Sequence, residues 1–409
     1  MTTKSTRTAP VAHDPLHGAA HDHGDEFHDD IIYPASIPFL LVHLACIAAI
    51  WTGVSAKALL LCVTLYVVRM FGVTAGYHRY FSHRSFKTSR VGQFLLAWLA
   101  QSSAQRGILW WAATHRHHHK HSDTPEDVHS PRHRGFLYAH VSWVFDKKRD
   151  AEQGDYATIP DLTQYPELRW LDRHPYLPAA VLAVACFLAL GWQGLVVGFF
   201  WSTVLLYHGT FFINSLAHVH GNQRYVTGDD SRNNWWLAVI TLGEGWHNNH
   251  HAYQRSTRQG FRWYEFDPTF YVLTALSWAR VVWELGAPPA DVVANERRLG
   301  RAVLEKVARQ LAASVHVDGI VAHAHEAWAN TPTLDELRAR AHESRQRAEA
   351  FMAELHLPHL PTREELRERA QQMFASTPSM DDVVERAREL VLQSVCARLV
   401  AVSTRPEPA

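Results

Sequence analysis

The chain has 409 residues and balances 40 Lys+Arg against 40 Asp+Glu, so no bulk charge recruits nucleic acid. Its four cysteines, Cys46, Cys62, Cys186 and Cys396, form no CxxC pair and lie too far apart for a thiolate zinc site, an iron–sulfur cluster or a disulfide framework. Histidine, with 29 copies, is the compositional outlier.

Residues 1–33 are polar, rich in His and Asp, and without hydrophobic period, which predicts a disordered tail and no cleavable signal peptide. Four apolar runs follow, at residues 37–54, 58–77, 176–190 and 194–217. Most approach the ~20 residues that cross a bilayer. Short connections around Lys57 and at Gly191, Trp192 and Gln193 pair them into two hairpins. Arg79, Arg84, Lys87, Arg90, Arg132, Arg134, Lys147, Lys148 and Arg149, and later Arg224, Arg255 and Arg258, crowd the opposite side. The positive-inside rule makes that side cytoplasmic. Arg69, inside a span, has no role assignable from sequence.

Residues 91–111 are apolar at both ends but interrupted by Gln101, Ser102, Ser103, Gln105 and Arg106. A full crossing there would put the histidines on either side of it on opposite membrane faces. An interfacial or re-entrant hairpin keeps them together.

Those histidines recur in three places. HRYFSH supplies His78 and His83, HRHHHKH supplies His115, His118 and His119, and EGWHNNHH supplies His247, His250 and His251. The last two share HxxHH spacing, and on a helix positions i, i+3 and i+4 lie on one face. Neutral imidazole ligates iron, zinc, copper and nickel, and eight histidines exceed the roughly four to six ligands of one ion, so two metals are implied. Glu244 is a candidate to orient a ligand ring, or a helix cap. His117 and His121 fall off the ligand face; His43, His208 and His220 read as packing residues, while His129, His133 and His140 have no assignment.

From about residue 287 the chain turns charged and alanine-rich, predicting a soluble helical extension over 287–409. PTLDELRARA, PTREELRERA and PSMDDVVERA each place Thr333, Thr362 or Ser379 as N-cap, with Glu336, Glu365 or Asp382 three residues on. His356 and His359 lie beside Pro358 and Pro361 in an expected linker.

HRYFSH, HRHHH and EGWHNNHH, interleaved with two hairpins, closely resemble the integral-membrane fatty acyl desaturases of the stearoyl-CoA (delta-9) type, over roughly residues 35–285. GNQRYVTGDDSRNN and QGFRWYEFDPT resemble bacterial members. The resemblance implies an all-α integral membrane fold over residues 34–286, with four transmembrane helices and a cytoplasmic helical cap holding the dimetal site. It implies a ninth ligand, His218, in NSLAH, and Asn214 reaching a metal through water. Gln105, Trp111 and Thr210 would line the bend of an acyl tunnel, and Lys147 and Lys148 would meet coenzyme A phosphates.

The implied function is O2-dependent insertion of a cis double bond, at delta-9, into a saturated acyl-CoA by a non-haem di-iron centre. A separate ferredoxin- or cytochrome-type donor with its reductase would supply electrons. The implied location is a bacterial inner membrane, with site and both termini cytoplasmic. Competing readings are a membrane alkane or fatty-acid hydroxylase and a desaturase of lipid-bound chains. A metal transporter would carry its histidines within the spans; here they cluster at span ends.

Overall fold

Pro38 in the first turn and an unbroken apolar run start α1 (Ile37–Thr52), whose lipid-like residues Leu41, Leu44 and Ile50 stay exposed. In this computed structural model residues 36–146, 156–329 and 359–403 are described; the tail over 1–33, Lys147, Lys148 and the cap at Thr333 and Glu336 lie outside them. The chain divides into two compact units, Phe27–Arg297 and the segment from Arg298 on.

In the first unit, two apolar helical segments are long enough to cross a membrane, α2 (Ala56–Ser82) and the 42-residue stretch Leu177–His218. The stretch is not straight. Leu190 and Gly191, the latter at φ 58°, leave helical dihedrals near the end of α7 (Leu177–Gln193) and turn the chain into α8 (Gly194–Trp201 continuing as Ser202–Asn214), and the two pack on each other. The α1 helix is shorter than a full span.

Between these segments, α3 (Arg90–Gln101) and α4 (Ile108–His121) are divided at Ser102–Gly107, where Ala104 and Arg106 adopt positive φ. Both pack on the second half of α2. Contact is close: a Cβ on Gly72 would lie 2.8 Å from Leu99 Cγ. Met70, Tyr77, Phe81, Ala97, Ala100, Ile108, Leu109 and Ala112 form the buried core there. Asp172, on α6 (Pro166–Arg173), accepts the amides of Leu109 (2.8 Å) and Trp110 (3.2 Å), satisfying the N-terminus of α4. α5 (Pro131–His140) packs on α8.

The Arg69 guanidinium is fully buried and donates to Thr203 Oγ1 (2.8 Å), Ser202 Oγ and the Ser102 carbonyl (3.2 Å). A charge inside α2 thereby ties α2 to α8 and to the end of α3, which answers what the sequence left open.

Short helices α9 (Trp235–Ile240), α10 (His247–Ala252) and α11 (Pro268–Trp278) complete the unit, with one antiparallel pair, β1 (Lys87–Thr88) on β2 (Val282–Trp283). Tyr66 Oη donates to the Ile240 carbonyl at 2.6 Å, joining α9 to α2. Val292 is buried against Tyr225 and Phe261, so the unit continues past residue 286, the boundary expected from composition, to Arg297.

The second unit contains α12 (Arg301–Ala313), α13 (Val317–Ala329), α14 (Arg363–Met373) and α15 (Met380–Ser403) around Val307, Leu311, Leu366, Leu390 and Val391. The capping box at Thr362 and Glu365 is formed. Ser379 Oγ accepts the Leu299 amide at 2.9 Å.

Candidate metal centre

Residues five apart on an α-helix point about 140° away from each other. His78 and His83 nevertheless converge, because Gly72–Ser82 winds as a π-helix and His83 N–H donates to the His78 carbonyl, five residues back, at 3.3 Å. Their rings lie 4.9 Å apart. The α4 helix carries His115, His118 and His119, α10 carries His247, His250 and His251, and the turn after α8 carries His218.

Two imidazole groups result. One contains His78, His83, His115, His119 and His250; the other contains His118, His218, His247 and His251, with ligand atoms within 4.8 Å of one another in each. Each HxxHH triplet splits between them. On α4 the i and i+4 residues join the first group and i+3 the second, while α10 does the reverse, since successive side chains diverge by about 100°.

Nε2 atoms face each other: His78–His250 at 2.9 Å, His83–His115 at 2.9 Å, His115–His119 at 3.0 Å, His119–His250 at 2.9 Å and His218–His247 at 3.0 Å. A metal–imidazole bond of about 2.1 Å puts adjacent nitrogens of an octahedral sphere about 3.0 Å apart. Buried His251 Nε2 meets no protein partner and belongs to the second group. The donor set fits two metal ions. Burial, then neighbouring imidazoles, hold His83, His115, His119, His247 and His250 well below the usual histidine range, so their lone pairs are free for ligation.

Carboxylates fix the far sides of four of the nine rings. Asp123 accepts from His218 Nδ1 (2.8 Å), Asp127 from His118 Nδ1 (3.0 Å), Asp229 from His251 Nδ1 (2.8 Å), and Glu244 from His78 Nδ1. Three of four rings in the second group therefore have an acid behind them. Burial alone would raise these carboxyls, but the facing imidazoles outweigh it and hold Asp123, Asp127, Asp229 and Glu244 below their ordinary values.

Arg79, fully buried, bonds both Glu244 (3.1 Å) and Asp267 (2.9 Å), and donates to the Thr257 carbonyl at 2.7 Å. Glu244 is thus held on two sides. The intervening asparagines of HNNHH are fully buried and bond away from the imidazoles. Asn248 Oδ1 accepts the amides of Arg224 (2.7 Å) and Tyr225 (2.8 Å), and Asn249 Nδ2 donates to Glu265 (2.9 Å). These turn the motif into a fastening for the surrounding loops.

An apolar cavity reaches the centre from one side. Gln105, Trp111, Thr210, Asn214, His115 and His129 line it together with Phe39, Trp143, Tyr176 and Tyr207. Gln105 Nε2 donates to Thr210 Oγ1 at 3.0 Å, and Trp111 is stacked between Tyr77 (5.0 Å) and His115 (4.9 Å). A second cavity shares Trp111, His115, Thr210 and Asn214 with the first and touches both imidazole groups. Gln105, Trp111, Thr210 and Asn214 are therefore gathered at one place.

His117 bonds the Glu126 carbonyl at 3.1 Å and stacks on His121, apart from both groups. His43, His208 and His140 form a separate hydrogen-bonded chain. Asp123, Asp127, Asp229 and Asn248 and Asn249 were missed from sequence. The available signal was DTPED, one residue after HRHHHKH, and GDD in the loop facing HNNHH.

A mostly helical chain with two apolar segments long enough to cross a membrane, and two imidazole groups suited to metal ions beside an apolar cavity, has the make-up of a metal-binding membrane protein. Residues 55–282 match the family described as fatty acid desaturase, and the chain belongs to that family. Acyl-CoA 5-desaturase of Anemone leveillei is 39% identical over 253 residues, 60% of this chain and 77% of that protein. Palmitoyl-monogalactosyldiacylglycerol delta-7 desaturase of Arabidopsis thaliana is 39% identical over 214 residues, 52% and 57% respectively. The sn-1 stearoyl-lipid 9-desaturase of a Synechocystis strain is 34% identical over 261 residues, 63% and 81%.

Proposed function

We propose that the chain is an O2-dependent acyl desaturase holding two non-haem irons, the first on His78, His83, His115, His119 and His250 and the second on His118, His218, His247 and His251. Two imidazole groups side by side against an apolar cavity carry this reading. Bound iron would supply the oxidising power, drawn from O2, that acid–base groups lack for removing hydrogen from an unactivated methylene. The balance is two hydrogens lost from adjacent carbons, with O2, two electrons and two protons yielding two waters.

The chain's own residues position and dehydrate. Trp111 and the Gln105–Thr210 pair hold the bend of the acyl chain beside both imidazole groups, fixing which carbons are presented. Asn214, which lines a cavity together with His118 and His247, would hold a water toward the second group, and the aromatic lining would exclude the rest. Asp127, Asp123 and Asp229 hold the hydrogen on Nδ1 of His118, His218 and His251 and so leave those three Nε2 atoms free.

The proposed substrate is a saturated acyl-CoA desaturated at delta-9, with Lys147 and Lys148 meeting the phosphates. A lipid-linked chain is the second reading, favoured by relatives named as lipid desaturases at similar identity. The proposed topology has four crossings, from α1, α2, α7 and α8, with the centre and both termini cytoplasmic. The test supplies iron-loaded protein with labelled stearoyl-CoA or stearoyl-phospholipid and a reducing system, and maps products by mass spectrometry. A hydroxylated product in place of an alkene rejects desaturation, and product from phospholipid alone rejects the CoA carrier.

A further inference from the structure

A groove separate from the acyl cavity runs from the protein surface to the edges of His83 and His119. In the first imidazole group His78 and His250 are buried, whereas His83, His115 and His119 are partly covered, and of these three His83 and His119 line the groove. The walls are cationic. Arg84, Arg116, Lys120 and Arg255 line it against a single carboxylate, Asp161. That carboxylate is already shared, at 3.3 Å from Arg84 and 2.7 Å from Arg116. Arg116 is further committed to the carbonyls of Ser82 (2.9 Å) and Phe81 (3.0 Å), so it builds the wall. Lys120 and Arg255 are exposed and form no ion pair among the described residues.

Resting on the desaturase reading, each turnover needs two electrons from outside. The four cysteines are all unpaired and offer no thiolate set for an iron–sulfur cluster in this chain. Electron transfer slows steeply with distance, so a donor must reach the imidazole edges closest to water. From this groove we infer that Lys120 and Arg255 dock an acidic one-electron carrier protein over His83 and His119, whose electrons would pass to the iron that the first imidazole group would hold. The cationic excess selects an acidic face and steers its approach, and the exposed ammonium and guanidinium make the association sensitive to salt.

The experiment uses the iron-loaded full chain and the double variant Lys120→Glu with Arg255→Glu, probed with an acidic ferredoxin and with an acidic soluble cytochrome b domain. Direct titration of each carrier gives its Kd, and turnover is driven either by the reduced carrier or by dithionite with methyl viologen. Charge reversal is expected to weaken one or both carriers about ten-fold or more and to flatten the salt dependence, leaving iron content and dithionite-driven turnover unchanged. Unchanged carrier Kd at low salt overturns the proposal, as does a rise confined to the KM for acyl-CoA, which would make the groove a headgroup site. Absence of alkene from the unaltered protein under dithionite would fail the desaturase reading instead; the carrier titration still decides the docking surface.

Discussion

Replacing Asp229 by asparagine tests how an acid behind a ring controls a metal in front of it. Asp229 Oδ1 accepts from Thr227 Oγ1 (2.7 Å) and from the Ser231 amide (3.1 Å), while Oδ2 faces His251 Nδ1 at 2.8 Å. In Asp229→Asn the amide oxygen stays where those donors point, and the NH2 is turned toward His251. Two donors cannot face each other, so His251 is driven to the tautomer with hydrogen on Nε2, the atom aimed at the second imidazole group. Loss of such a partner costs about 10- to 100-fold in metal affinity. That corresponds to about 1.4 to about 2.8 kcal/mol. The first group, whose acid is Glu244, keeps its metal. Iron content measured by mass spectrometry after dialysis against graded chelator should fall from near two toward one per chain, and Mössbauer spectra should lose one of two sites. Equal loss from both sites, or an unchanged chelator curve, refutes the argument. Glu244→Gln, acting on His78 in the first group, should deplete the opposite site.

Burial holds His83, His115, His119, His129, His247 and His250 below their unfolded values, His129 down to about 3. The unfolded chain therefore binds more protons below about pH 6.5, so their contribution is complete above that pH and is lost as pH falls, at up to ~1.4 kcal/mol per pH unit per group. Melting of the purified protein from pH 8 to pH 5 should show a steep drop below 6.5, and a flat profile would contradict it. Gly245→Ala would put a Cβ 2.0 Å from the Ala238 nitrogen and 2.3 Å from the Asn234 carbonyl oxygen, so the turn before His247 must move. Iron should be lost from both groups, and retention of both with normal melting would reject the packing argument. Truncation after Arg297 should keep iron and dithionite-driven turnover, whereas ending at Gly286 removes Val292 from Tyr225 and Phe261 and should cost about 2 to 5 kcal/mol, read by denaturant unfolding.

The helical character and the long apolar segments were legible because hydrophobic run length is a local property. So was the gathering of HxxHH histidines, since i, i+3 and i+4 share a helix face whatever surrounds them. How the triplets divide was not legible, because it depends on two helices meeting across 131 residues at His119 and His250. HRYFSH shows a different failure: five-residue spacing is wrong for an α-helix, and only the π winding of Gly72–Ser82 makes it right. The orienting aspartates sit in loops with no periodicity. Asp123 reaches His218 across 95 residues, a pairing that tertiary folding alone creates. The cavity residues Gln105, Trp111 and Thr210 came from family resemblance, and the Gln105–Thr210 bond spans 105 residues.

The divided triplets have a mechanical consequence. On α4, His115 and His119 serve one group while His118, between them, serves the other, and α10 repeats the arrangement with the assignment exchanged. Each helix is thus a rigid spacer whose side-chain divergence sets how far apart two bound metals can sit. Rotation of either helix would pull histidines from both groups at once, so neither imidazole group can drift alone. The structure resists that rotation from outside the centre: Asp172 holds the start of α4, and Asn248 and Asn249 tie α10 to the loops at Arg224 and Glu265. Damage to those fastenings should therefore act on both groups together, whereas damage to one ring's carboxylate acts on its own group. The contrast separates scaffold residues from ring-orienting residues by stoichiometry alone, even before turnover is measured.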